Sequence, residues 1–164
     1  MNESLGIRIV RGTEAHVPVI LQLIRALADY EKLLSEVVAT EADLHRSLFG
    51  PRPAAEVILA YAGDEPVGFA LYFQSFSTFL GRPGIYLEDL FVLPEWRRRG
   101  IAKRLLAVLA SEVIERDGGR LEWSVLNWNE SAIAFYKSIG ARPMHEWTVY
   151  RITGESLARL ARDT

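Results

Sequence analysis

The sequence predicts an α/β protein with one mixed sheet and helices on both faces. Three observations carry this expectation. The apolar period is helical from Thr13 to about residue 49 and switches to strand-like after residue 55. Three strand-patterned runs then follow, separated by glycine and proline turns. After them strand and helix alternate to the end, and such crossovers favour parallel neighbours.

In chain order, Ile7 to Arg11 alternates as a strand. Thr13 to about Leu33 reads as a helix, with Val17, Ile20, Leu21, Ile24, Leu27 and Ala28 on one stripe; Pro18 lies in its tolerant first turns. Thr40 to Phe49 is a second helix. Thr40 can cap it, Asp43 holds the third helical position, and Gly50-Pro51 stops it. Glu56 to Tyr61, Val67 to Phe76 and Ile85 to Val92 read as strands, with turns at Gly63 to Pro66 and Gly81 to Gly84. Gly100 to about Arg116 is a helix that buries Leu105, Leu106, Leu109, Val113 and Ile114 and ends at Gly118-Gly119. Leu121 to Leu126 is a strand, Ser131 to Ile139 a helix closed by Gly140, Trp147 to Ile152 a strand, and a short helix follows Thr153.

The 164 residues suit a single domain, here taken as residues 1–164. There is no cysteine, which removes disulfides, thiolate metal sites and cysteine nucleophiles and fits a reducing, cytoplasmic setting. Nineteen basic residues against 21 acidic ones argue against general nucleic-acid binding. No apolar run approaches the roughly 20 residues of a membrane span, and MNESLGIRIVRG lacks the plan of a signal peptide. His16, His45 and His145 show no ligand spacing with carboxylates, so no metal is assigned.

One stretch is unusual. In "LEDLFVLPEWRRRGIAKRLL" three arginines stand at a helix start, which is already the positive end of the dipole. An anion with several charges makes such a start favourable, because turn amides and arginines bind phosphate together. Gly100 lets the backbone approach and Ala102 keeps the next turn narrow, so Arg97-x-x-Gly100-x-Ala102 reads as a pyrophosphate cradle. The bland alternative is a solvated basic turn.

"YLEDLFVLPEWRRRGIAKRLL", "NWNESAIAFYKSIGA", "ALADYEKLLSEV" and "VGFALYF" together resemble the GNAT acetyltransferase superfamily, and within it the spermidine/spermine (diamine) N-acetyltransferase branch. The resemblance covers most of the chain. It implies a GNAT fold, whose sheet has two central parallel strands that splay apart, with acetyl-CoA as cosubstrate lying in the splay. The pantetheine arm would follow main-chain groups of Leu90, Phe91 and Val92 as an added strand. The pyrophosphate would sit on the run Arg97, Arg98, Arg99, Gly100, Ile101, Ala102 and Lys103, and Asn129, Glu130 and Ser131 would also meet the coenzyme. A homodimer is implied as well.

The implied reaction is acetyl transfer from a thioester to a primary amine. Such an amine has a pKa near ~10.4, so at pH 7 only about one molecule in 2,500 is nucleophilic. The site therefore has to remove a proton and help a thiolate leave. Glu88 is the candidate base, through a water, or else an acid that merely attracts the cation. Asp89, facing the other way in a regular strand, is expected to be structural or at most a substrate contact. Tyr136 is the candidate acid toward the leaving sulfur; its bland reading is a core aromatic. Tyr30, Glu31, Glu88 and Trp147 would line the amine site. "MHEW" supplies His145 and Glu146 where the family has acidic partners, which leaves short diamines or lysine-like amines open.

The expected activity is thus acetyl transfer to a small polyamine or diamine, with a lysine-like amino acid or other small amine as the alternative. A non-catalytic CoA-binding module is the reading from another class.

Overall fold

The computed structural model describes residues 6–163. The chain divides into two compact units between Ser124 and Val125.

The first unit is a five-stranded sheet, β1 Ile7–Arg11, β2 Glu56–Ala62, β3 Glu65–Ser77, β4 Arg82–Val92 and β5 Leu121–Trp123, in spatial order 1-2-3-4-5. The first four strands are antiparallel neighbours, and β5 joins β4 in parallel. Tight hairpins explain the antiparallel part; the parallel step needs the long crossover that α3, Ile101–Glu115, supplies.

Two helices, α1 Val17–Tyr30 and α2 Glu41–Phe49, cover one face. Val17, Ile20, Leu23, Leu27, Leu44 and Leu48 close a core against Val57, Leu59, Phe69, Leu71 and Phe91. The other face meets α3. Strand alternation sends Glu56 and Tyr72 to that side, and Tyr72 donates its hydroxyl to the buried Glu112 of α3 at 2.9 Å. Glu112 also accepts from Arg11 (2.8 Å) and Arg116 (2.7 Å).

One helix end differs from the expected one, and a second closes on an unexpected residue. The sequence carries α1 to Leu33, yet it stops at Tyr30 because Lys32 turns left-handed, φ 62°. Leu33 N–H then bonds Ala28 C=O and Lys32 N–H bonds Asp29 C=O, a Schellman closure. α3 ends the same way on Asp117, φ 53°, and not on a glycine. Gly118 is needed for space: a Cβ there would lie 2.8 Å from the carbonyl of Val113. Ile114, expected in the core, is 77% exposed. The β3–β4 turn falls at Thr78 to Gly81, so Arg82 to Gly84 belong to β4. Strand β5 is only half its expected length.

The second unit holds α4 Glu130–Ser138 and α5 Gly154–Leu160. The strand expected at Trp147 to Ile152 does not form. A strand needs a neighbour for its ladder, and the described residues of this unit contain none. Trp147 is 74% and Tyr150 92% exposed. Among the described residues no helix is long and apolar enough to cross a membrane.

Candidate active site

The centre of the site is an irregularity in β4. Leu87 pairs with Tyr72 and Asp89 with Leu71, so Glu88 has no partner on β3. Glu88 is the extra residue of a β-bulge. The bulge changes the phase of the strand. Leu87 faces α3 with Tyr72, whereas Asp89 and Phe91 face α1 with Leu71. Glu88 is exposed and Asp89 half-buried. Two consecutive acids that a regular strand would separate are thereby brought into electrostatic contact.

β5 accompanies β4 only from Ile85 to Leu87. From Glu88 onward the edge of β4 on that side has no strand partner among the described residues. The bond from Leu93 N–H to Val67 C=O fixes which groups face it. Val92 opposite Gly68 is then a non-hydrogen-bonded pair, and so is Leu90 opposite Ala70. Leu90 and Val92 turn their main-chain groups to the open edge, while Phe91 spends its own on Phe69. Of the three strand residues expected to hold a ligand by main-chain bonds, two have the right phase. Arg97 Nε confirms it by donating to Val92 C=O at 3.0 Å.

After β4 the chain crosses a 3₁₀ turn, Pro94–Trp96, and enters α3. Gly100, at the cap, has φ 77°, and Arg98 has φ 60°. The helix start has no side-chain cap and no acid in its first turn. The first amides of any α-helix lack intrahelical partners, so Ile101, Ala102 and Lys103 present N–H groups and a positive dipole end. The three arginines differ. Arg97 turns back, its guanidinium 4.3 Å from the Tyr30 ring centroid and 5.5 Å from that of Phe91. Arg99 lies over Trp96 at 4.7 Å. Arg98 and Lys103 are exposed and make no ion pair among the described residues.

Tyr30 ends α1, its ring 6.1 Å from Phe91. Glu31 caps that end. Burial, and after it the charges of Glu88 and Glu31, push the Asp89 carboxyl up to about 7. Burial also raises Glu31. Three carboxylates beside the negative end of a helix dipole form a site for a cation. Asp89, expected to be structural or at most a substrate contact, is the carboxyl that the fold sets apart most. Its signal is the pair of adjacent acids between apolar runs, which breaks strict alternation.

In the second unit Asn129 caps α4, its side chain accepting from Ala132 N–H at 3.3 Å. Glu130 and Ser131 open that helix, and Tyr136 is half-buried two turns along, 5.5 Å from the Phe135 ring. Trp147 is exposed in an irregular segment.

The model of the acetyltransferase (GNAT) family matches residues 22–141 of this chain. The chain belongs to that family. This GNAT chain is 39% identical to the thialysine N-epsilon-acetyltransferase of Bos taurus, over 87% of its own length and 89% of that protein's. It is 31% identical to the spermidine/spermine N(1)-acetyltransferase-like protein 1 of Homo sapiens, over 93% of its length but 23% of the larger protein's. An integron cassette protein from the mobile metagenome of V. cholerae superposes with a TM-score of 0.80 at 31% identity, covering 95% of this chain and 98% of the other. The protein is therefore an enzyme, a GNAT N-acetyltransferase, with the mixed sheet expected of one.

Proposed function

We propose that this enzyme transfers the acetyl group of acetyl-CoA to the side-chain amine of a lysine-like amino acid. The observation that carries the reading is the grouping of Glu31, Glu88 and Asp89 at the β4 bulge beside the end of α1. It offers an arriving ammonium ion both attraction and a proton acceptor. The similarity to a thialysine acetyltransferase supports a lysine-like substrate over the polyamine expected first. The similarity to a spermidine/spermine acetyltransferase-like protein keeps a small polyamine or diamine as the second reading.

The residues present fit acetyl-CoA. An uncapped helix start without acids suits its pyrophosphate. The open edge at Leu90 and Val92 suits an extended amide-bearing arm. When bound, the cosubstrate supplies an activated thioester. The chain's own residues then hold and move protons. An Asp89 carboxyl near neutrality, with Glu88 beside it, takes the proton of the substrate ammonium. The Tyr136 hydroxyl gives a proton to the departing sulfur, a role that rests on the resemblance. Cytoplasmic location and a homodimer belong to the same reading; the exposed apolar side chains of residues 147–152 support the dimer.

The test is thiol release with acetyl-CoA and thialysine, lysine, putrescine or spermidine. The highest kcat/KM is expected with thialysine. A higher value with spermidine would replace the substrate, and thiol release that no amine stimulates would leave a CoA-binding module. Tyr136→Phe is expected to lower kcat by about 100-fold with coenzyme affinity nearly unchanged.

A further inference from the structure

Arg97 opens the motif that reads as a phosphate cradle, yet its side chain is committed elsewhere. Its Nε donates to the carbonyl of Val92, and its guanidinium lies over the rings of Tyr30 and Phe91. Tyr30 and Phe91 pack on each other in turn. The three side chains therefore tie three elements together: the loop before α3, the open end of β4 and the last turn of α1. Glu31 is the next residue after Tyr30, and Asp89 stands two residues before Phe91 on the same strand face.

We propose that Arg97 is a positioning residue for the amine site and not a ligand of the cosubstrate's phosphates. Its stack on Tyr30 sets where the end of α1 presents Glu31 to Glu88 and Asp89. The need is physical. α1 ends on a left-handed Lys32, a conformation that a non-glycine residue adopts at a cost, and three carboxylates of like charge gather next to it. Without a tie, repulsion among them favours moving Glu31 away. A guanidinium face on an aromatic ring is a tie that tolerates water nearby. Arg97 is the cation that supplies it, without pairing with any of the three acids.

The inference rests on the reading of the acidic group as the amine site, and the experiment separates the two. Wild type, Arg97→Met and Arg97→Lys are compared with thialysine and acetyl-CoA in steady-state kinetics, and by titration of CoA in a calorimeter. Arg97→Met is expected to raise the KM for thialysine by about 10-fold or more while the Kd for CoA stays within about threefold. Arg97→Lys keeps a cation for the ring but has no Nε for Val92, and is expected to recover part of the loss. In a Tyr30→Leu background, Arg97→Met is expected to add little, because the ring it acts through is gone. A weakened CoA Kd with an unchanged amine KM would make Arg97 a phosphate ligand and overturn the inference. So would additive effects of the Tyr30 and Arg97 substitutions. If Arg97→Met does not fold, the lysine variant and the Tyr30 cycle built on it decide the matter. Wild type inactive on thialysine would instead refute the proposed substrate.

Discussion

Asp89 shows how much one residue depends on its neighbours. Burial, and then the charges of Glu88 and Glu31, hold its carboxyl up to about 7, against 3.8 in the unfolded chain. The folded state therefore binds a proton that the unfolded state has already lost between those values. Stability attributable to this group is complete at low pH and declines as pH rises from about 4 to 7. Asp89→Asn removes the charge and keeps the shape. It is expected to be more stable than wild type by roughly 4 kcal/mol at pH 8 and close to it at pH 4. Thermal midpoints at the two pH values check this; equal differences at both would show that Asp89 ionises normally. In activity, kcat/KM for an amine is expected to rise through pH 7 in wild type and to lose that limb in the variant. The resemblance to the family made Glu88, Tyr136 and Glu31 legible as candidates. The raised carboxyl of Asp89 was not legible, because its environment is made by a bulge.

At the scale of elements, periodicity and turn residues placed most helices and strands within a few residues. The end of α1 was misplaced because glycine is the usual left-handed closer and Lys32 took that role here; α3 ends within a residue of the expected place, with Asp117 as the left-handed closer. The open edge of β4 arises because β5 stops at Trp123. The anchoring of α3 was also hidden. Glu112 lies on an otherwise apolar helix face, where a composition-based reading sees only a misplaced acid. Its partners Arg11, Tyr72 and Arg116 stand 101, 40 and 4 residues away. Glu112→Ala would take the acceptor from the Tyr72 hydroxyl and leave the guanidinium groups of Arg11 and Arg116 with Glu56 as their carboxylate. It is expected to destabilise the protein by about 3 kcal/mol in urea unfolding, against about 1 kcal/mol for Tyr72→Phe. Equal small effects would mean that the network is solvated and adds little.

For the whole molecule, the strand pattern of WTVYRI without a strand is the informative mismatch. Trp147, Val149 and Tyr150 are left exposed, and a second copy of the chain is the proposed cover. Light scattering is expected to give twice the 18.5 kDa chain mass. Trp147→Ser with Tyr150→Ser is expected to shift it toward the monomer; a monomeric wild type would end the proposal. By itself the sequence determined the alternation of elements, the glycine break before α3 and the chemical types gathered in the motifs. These follow from local sterics and from side-chain periodicity along a few turns. Tertiary structure alone decided which main-chain groups of β4 face the open edge, that Asp89 joins Glu31 and Glu88, and that Arg97 lies on Tyr30. Each of these depends on register or on residues distant in sequence, and a pairing across the sheet has no signature within one strand.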